Sequence, residues 1–567
     1  MKVVIIGGVA GGATAAARIR RLDEQAEIVV LERSGFVSYA NCGLPYYIGG
    51  VIQDREELTL QTPESFWDRF RIDVRVGHEA TAIDPEARTV TGRNLATGET
   101  FTEHYDKLLL SPGAKPLAPP LPGLDSDLLF TLRTVEDTLA IRAFVEEHKP
   151  RRAVMAGGGF ISLEVAENLA EMGLEVTVIQ RLPHLMPPLD YDMASFVHNH
   201  MRAKGVRVLL DTAVSGFVQE GDTITATVEG GEAVTADFAI LAVGVAPESA
   251  LAKEAGLALG QRGSIAVNDR METSHPDIYA VGDAVEITHL VTGEKALIAL
   301  AGPANKQGRI AADNICGGDS RYKGSQGSSV LKIFDLTVAA TGLNEGAARA
   351  AGLDYEAVIL SPSSHAGYYP GGTVMTMKVL YEKKTLRILG AQIVGCDGVD
   401  KRIDVLATAM QGGLTVTALK ELDLAYAPPF SSAKDPVNMA GFLAENLEAG
   451  LVRQFTWQQV DGLPRDGSAN LVDTRTPEEV ADGAVAGFVN IPIDQLRQRL
   501  GELDKDKPVY LVCQSGLRSY LACRILGQLG YTCSHLAGGY RFYGSVVLDR
   551  QASRQAFPCG MEKKAEE

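Results

Sequence analysis

Short apolar runs, each closed by glycines and followed by an alanine-rich helical stretch, punctuate the first third of this chain. Residues 3–6 run into Gly7-Gly8-Val9-Ala10-Gly11-Gly12, and residues 153–156 run into Gly157-Gly158-Gly159-Phe160-Ile161. A second apolar strand follows each helical stretch, at residues 28–32 and 176–180. Strands buried on both faces read as continuous apolar runs, so the pattern predicts an α/β protein with two βαβ dinucleotide-binding folds. Glycine is needed because backbone N–H groups must approach a pyrophosphate at a helix N-terminus, where a Cβ would intrude.

Further along, residues 335–342 open a third region with strands near 373–380 and 389–394 and a helix near 399–410. From about Phe455 the pattern changes again, through Leu471-Val472-Asp473-Thr474-Arg475, Val489-Asn490-Ile491-Pro492 and residues 509–512, followed by a helical run at 520–529. These alternations predict a separate small α/β domain. The expected layout is a first dinucleotide fold at 1–113, a second inserted at 114–247, a return to the first at 248–325, the third region at 326–452 and the last domain at 455–560.

Charge narrows the partners. Lys and Arg total 54 against 71 Asp and Glu, a formal charge of -17, so a nucleic-acid backbone is repelled on average. Local basic spots for a small phosphorylated ligand stay open. The apolar run before Gly7 is too short for a signal peptide, and no run approaches the ~18 residues of a membrane span, so neither leader nor membrane anchor is expected. Cysteines at 42, 316, 396, 513, 523, 533 and 559 never form C-x-x-C. That predicts neither a disulfide framework nor a metal site, and the reducing cytoplasm is the expected compartment.

The chemistry of the first fold turns on a few side chains. Glu32 closes its strand twenty residues after Gly12, where a carboxylate can accept from an adenosine ribose hydroxyl. Gln180-Arg181 stands at the matching place in the second fold, and since Arg181 can meet a 2′-phosphate the choice between NADH and NADPH stays open. Thr273-Ser274-His275-Pro276-Asp277-Ile278-Tyr279-Ala280-Val281-Gly282-Asp283 resembles the flavin-ribityl motif of flavoproteins with two dinucleotide folds, implying FAD on the first fold and a nicotinamide cofactor on the second. Cys42 lies in Ser38-Tyr39-Ala40-Asn41-Cys42-Gly43-Leu44-Pro45-Tyr46-Tyr47, with Pro45 suited to a helical first turn. A thiol near a helix N-terminus is expected to have a lowered pKa.

These residues, Ser38-x-x-x-Cys42-x-x-Pro45-Tyr46 above all, resemble the coenzyme A-disulfide reductase family over residues 1 to about 450. Relatives with two redox cysteines carry C-x-x-x-x-C, but Val37 stands five before Cys42, so the resemblance implies coenzyme A as the external thiol, stored as a mixed disulfide. Val9 replaces the second fingerprint glycine, which the family pattern tolerates; Ala10 stands where peroxidases and oxidases of this scaffold place histidine. The resemblance implies further cofactor contacts at Arg33, Asn41, Ala80, Ser111, Gly113, Arg133, Gly244 and Ala301, and places Glu164 against the nicotinamide. For Glu164 the alternative is an acid matched to the helix dipole. It implies coenzyme A contacts at Thr14, Arg18, Arg21, Ser38, Asn41, Arg71, Asn305 and Lys434, and a homodimer in which Tyr368 and Tyr426 reach the partner's site to serve a leaving thiolate.

Cys513-Gln514-Ser515-Gly516-Leu517-Arg518-Ser519, with Asp473-Thr474-Arg475 and Gly538-Gly539-Tyr540, resembles the active loop of rhodanese domains. Its backbone N–H groups, with Arg518 adjacent, would stabilise a thiolate or persulfide on Cys513. Ala484 stands where many members have histidine, and Cys523 and Cys533 read as buried structural cysteines, second thiols being the alternative. The whole predicts an FAD-dependent NAD(P)H oxidoreductase acting on coenzyme A disulfide, coenzyme A persulfide or polysulfide. Three other readings compete: an NADH oxidase or peroxidase, a plain thiosulfate sulfurtransferase, and a non-catalytic sulfur carrier or redox sensor.

Overall fold

Both glycine repeats fold as their apolar runs predict. In the computed structural model, which describes residues 1–554, strand Lys2–Ile6, helix Ala10–Leu22 and strand Glu27–Glu32 form the first βαβ element, paired in parallel from Lys2↔Glu27 to Ile6↔Leu31. Cys559 and the end of the expected last domain lie outside the described residues. The chain divides into two compact units, Met1–Leu182 with Gly205–Gly327, and Pro183–Lys204 with the chain from Ser328 onward.

The first unit holds two parallel sheets. One runs in the order Ile278–Ala280, Lys107–Leu110, Lys2–Ile6, Glu27–Glu32, Asp73–Val76. Helix Ala10–Leu22 crosses helix Ala301–Ile315 so tightly that a Cβ on Gly308 would lie 2.3 Å from the Gly11 carbonyl oxygen. The other sheet runs Arg207–Leu209, Glu175–Ile179, Arg152–Ala156, Phe238–Leu241, Leu129–Phe130. The return of Ile278–Ala280 to the first sheet makes the second fold an insertion into the first.

The second unit contains an antiparallel sheet, Ser329–Ile333, Leu336–Gly342, Ile388–Gly395, Thr376–Glu382, Tyr355–Leu360. Helices Val399–Gln411 and Pro436–Glu448 bury Val399, Ile403, Leu406, Val437 and Ala440 in its apolar core. The strand expected at 373–380 begins at Thr376, because Ser363 and Val374 first bridge across a loop. Lys378 on that strand is buried against Asp190, Asp192 and Glu345, and Trp457 Nε1 donates to Asp192 at 3.0 Å, which ties helix Tyr191–Ala203 into this unit.

The last parallel sheet of the unit runs Gln454–Phe455, Cys533–Leu536, Val509–Val512, Asn470–Asp473, Val489–Asn490. Helix Leu517–Gln528 begins earlier than the run at 520–529 suggests, because Gly516, at φ 97°, turns the chain straight from the Cys513 loop into the helix. Among the described residues, no helix is long and apolar enough to cross a membrane.

Candidate active site

Cys42 sits in the single 3-10 turn Asn41–Gly43, and the helix after it, Leu44–Ile48, spans five residues with Pro45 in its first turn. The thiol is accessible to solvent, yet the surrounding protein desolvates it and the carboxylates of Glu164 and Asp283 repel its negative form. Together these push the thiol pKa up against the opposing charge of Arg133, which corrects the expected lowering. So short a helix adds little dipole, and the decisive groups come from distant parts of the chain.

Those groups form one cluster. Tyr46 Oη donates to Glu164 Oε1 at 3.5 Å, and Arg133 Nη2 lies 3.4 Å from Asp283 Oδ2. The Asn41 amide, oriented to satisfy both atoms, donates to the Arg133 carbonyl at 3.1 Å and accepts from Arg133 Nη1 at 2.6 Å. Burial pushes the Glu164 carboxyl up to about 7 and the Tyr46 hydroxyl up to about 12. Glu164 is the fifth residue of helix Phe160–Glu171, past the first turn, so helix-dipole matching does not account for it. Tyr46 belongs to the motif around Cys42, but its link to Glu164, which joins the two glycine repeats, has no local signal.

The two dinucleotide sites fit their expected occupants. Helix Ala10–Leu22 has no side-chain cap and no acid in its first turn, so its first N–H groups are free for a pyrophosphate. Gly7, at φ 96°, and Gly12 have no room for a Cβ, which would lie 2.1 Å from the Ser111 carbonyl and 1.9 Å from the Gly7 carbonyl. Glu32 accepts from the N–H groups of Gly8 (2.8 Å) and Ser34 (2.9 Å) with separate oxygens, which fixes the carboxylate and leaves each oxygen a further lone pair. Val9 is half-buried at the N-cap, whereas a Cβ on the equivalent Gly159 would meet nothing within 4 Å. Helix Phe160–Glu171 is likewise uncapped, Gln180 is buried and Arg181 is exposed.

The remaining cofactor candidates lie in varied surroundings. Gly113, at φ 72°, leaves room for Arg133, whose Nε donates to the Ala114 carbonyl at 2.8 Å. Ala301 opens an uncapped helix, Gly282 precedes Asp283 in a 3-10 turn, and Gly244 accepts from Leu117 N–H. Arg33 is exposed, 3.9 Å from Glu79, and Ala80 lies at a strand irregularity.

The coenzyme A candidates of this unit divide. Thr14 Oγ1 donates to Asn305 Oδ1 at 2.6 Å across the crossed helices, and Ser38 holds a left-handed φ of 47° with its N–H bonded to the Gly8 carbonyl. Arg21 is exposed, and so is Arg71, which lies over the Trp67 ring. Arg18 Nε donates to Asp313 at 2.7 Å, so a phosphate there must compete with a carboxylate.

In the second unit, Tyr368 and Tyr426 share a hydroxyl–hydroxyl hydrogen bond, with Lys434 exposed on the segment that follows Tyr426. Arg402, buried and without any motif in the sequence, donates to the Ser364 carbonyl (2.9 Å), Ser431 Oγ (3.1 Å) and Asp435 Oδ2 (3.0 Å). It thereby ties together the segments that lead to both tyrosines.

The Cys513 loop is built around its sulfur. Gly516 N–H donates to Cys513 Sγ at 3.1 Å and Ser519 Oγ donates at 3.3 Å. The loop carbonyls of Cys513 and Gln514 accept from Tyr540 and Arg541 N–H at the start of helix Gly539–Arg554, which orients the peptides. A Cβ on Gly539 would lie 2.6 Å from the Cys513 carbonyl oxygen. Thr474 donates to the Val512 carbonyl, and buried Arg475 pairs with Asp473 under the ring of Tyr540. Arg518 places both terminal nitrogens on Glu479 at 2.7 Å, and that partnership holds the Glu479 carboxyl down to about 2. The direct donors to sulfur are thus Gly516 and Ser519, while Arg518 contributes charge at longer range. Glu479 had a sequence signal only as the end of a Thr476-x-x-Glu479 capping box.

Comparison with known proteins agrees with this geometry. Residues 1–308 match the pyridine nucleotide-disulphide oxidoreductase family, 328–436 its dimerisation domain and 456–544 the rhodanese-like domain. Coenzyme A disulfide reductase of Staphylococcus aureus (strain JH9) is 40% identical over 445 residues, 78% of this chain and 100% of that protein. The crystal structure of reduced Bacillus anthracis CoADR-RHD superposes with a TM-score of 0.94 at 49% identity, covering 97% of this chain and 98% of that one. An NAD-dependent persulfide reductase from A. fulgidus gives 0.91 at 40% identity, covering 96% and 100%. The chain therefore belongs to the pyridine nucleotide-disulphide oxidoreductases, as an FAD-dependent enzyme of the coenzyme A disulfide reductase family with a rhodanese-like domain after its dimerisation domain.

Proposed function

We propose that this protein uses NAD(P)H to reduce the sulfur–sulfur bond of coenzyme A disulfide, coenzyme A persulfide or polysulfide, with Cys42 as its single redox cysteine. The first glycine loop, Glu32 and Asp283 would hold FAD, which when bound would supply the two-electron chemistry between the nicotinamide and the thiol. Cys42 thiolate attacks coenzyme A disulfide to give the Cys42–coenzyme A mixed disulfide and one coenzyme A thiolate. With coenzyme A persulfide the leaving group is hydrosulfide. Two electrons then return Cys42 and the coenzyme A of the mixed disulfide as thiolates. Glu164, neutral up to about pH 7, is placed through Tyr46 to hold a proton near Cys42.

Cys513 accepts or hands over sulfane sulfur as a persulfide, whose terminal anion takes the loop N–H groups and Ser519. Tyr368 and Tyr426 position the departing thiolate in a homodimer, and the enzyme works in the reducing cytoplasm. The observation that carries the reading is a solvent-accessible thiol, Cys42, free of any protein disulfide and set among Glu164, Asp283 and Arg133 between two uncapped dinucleotide loops.

Anaerobic consumption of NADH and of NADPH with coenzyme A disulfide, coenzyme A persulfide and polysulfide tests it, in wild type, Cys42→Ser and Cys513→Ser. Loss of all three activities in Cys42→Ser supports the mechanism; equal rates in the three proteins overturn it. Both nucleotides belong in the assay because Arg181 is exposed and follows the strand end that would meet the adenosine ribose.

A further inference from the structure

Two other cysteines of the last domain meet between the helix that follows the Cys513 loop and a neighbouring strand. Cys523 lies on helix Leu517–Gln528 and Cys533 opens strand Cys533–Leu536, over which that helix packs. Cys533 Sγ donates to the Cys523 carbonyl at 3.3 Å, and the two thiols are close enough to influence one another's ionisation. Ten residues apart, on a helix and a strand, they carry no motif.

Their surroundings differ. Cys523 is 2% exposed, and Cys533 is partly exposed. The neighbouring Cys523 thiol, the Gly527 N–H group and the guanidinium groups of Arg453 and Arg524 all favour the anion of Cys533, so its thiol is drawn down. Contact with Cys533 and burial together push the Cys523 thiol up. One sulfur is thus partly exposed with two guanidinium groups near it, while the other is buried beside it.

We propose that Cys523 and Cys533 form a redox modification site that closes to an intramolecular disulfide on exposure to hydroperoxides. Cys533 thiolate attacks the hydroperoxide, breaking its O–O bond to give Cys533 sulfenic acid and an alkoxide or hydroxide. Cys523 sulfur then attacks the sulfenic sulfur, and the thiol proton leaves with the sulfenic oxygen as water. The hydroperoxide is the oxidant, and the two thiols together lose two electrons. The disulfide pins helix Leu517–Gln528 to strand Cys533–Leu536, and the first turn of the same helix supplies Ser519 to Cys513.

The test uses the full-length flavoprotein, reduced, freed of reductant, exposed to equimolar hydrogen peroxide, alkylated under denaturing conditions and mapped by mass spectrometry after proteolysis. The expected result is one cross-linked peptide joining Cys523 and Cys533, lighter by two hydrogen atoms than its parts and opened by dithiothreitol. In Cys523→Ser, Cys533 is expected to form a dimedone adduct; in Cys533→Ser, Cys523 stays alkylatable. Alkylatable Cys523 in peroxide-treated wild type, or Cys533 sulfinic acid without the cross-link, overturns the proposal. The wild-type map stands even if a variant fails to fold.

Discussion

The hydroxyl oxygens of Tyr368 and Tyr426 stand 2.5 Å apart although the residues are 58 positions apart in the chain. Two exposed loops hold that geometry because Arg402 grips both from beneath, through the Ser364 carbonyl on one side and Ser431 and Asp435 on the other. A guanidinium suits the task because its five donors lie in one rigid plane.

Replacing Arg402 with methionine leaves the Asp435 carboxylate buried without its cation, a loss of about 3–5 kcal/mol. Differential scanning calorimetry should show a lowered transition for Arg402→Met. Steady-state kinetics of the surviving folded protein should show a fall in kcat resembling that of Tyr426→Phe. An Arg402→Met protein as stable as wild type would remove this account of the tyrosine pair.

Glu164 makes stability pH-dependent with a definite sign. Its carboxyl is raised to about 7 in the folded protein, above the ordinary 4.5, so its favourable contribution is complete below 4.5 and is lost as pH rises through about 7. Glu164→Gln, neutral throughout, should therefore match wild type at low pH and exceed it by about 1–2 kcal/mol at alkaline pH, after allowance for partial exposure. Urea unfolding across that range reads the difference. The pH profile of NAD(P)H oxidation should lose an inflection near 7 in the same variant.

Ser519→Ala removes one of two direct donors to Cys513 Sγ and leaves the Gly516 N–H in place. A hydrogen bond to an anionic sulfur is worth about 1–2 kcal/mol, so sulfur transfer through Cys513 should slow roughly tenfold. Thiocyanate formation from thiosulfate and cyanide is the measurement, and an unchanged rate would remove Ser519 from the sulfur site.

Lys378 is the cation among three carboxylates, those of Asp190, Asp192 and Glu345. Lys378→Met should cost about 3–5 kcal/mol near neutral pH. Burial already raises the Asp192 pKa, and loss of the lysine charge raises it further, so the deficit should shrink as pH falls and the carboxylates take up protons. Chemical denaturation at two pH values checks both magnitude and direction.

Gly308→Ala tests the crossing of the two helices beneath the first dinucleotide loop. A methyl group there would lie 2.3 Å from the Gly11 carbonyl oxygen, so the helices must separate at a cost of about 1–3 kcal/mol. Release of FAD at lower temperature than in wild type, followed by flavin fluorescence, is the expected outcome.

The two dinucleotide folds and the small α/β domain that follows the dimerisation domain were legible along the chain, because apolar runs, glycine turns and adjacent motif residues act over a few positions. The direction of the Cys42 thiol's pKa shift was not, since Glu164 and Asp283 lie far along the chain and outweigh a five-residue helix. That Arg18 holds Asp313, that Arg518 holds Glu479, that Arg402 joins two loops and that Cys523 meets Cys533 follows from the folded arrangement alone. Buried charges and paired thiols depend on what surrounds them in space, and no local pattern of residues encodes that neighbourhood.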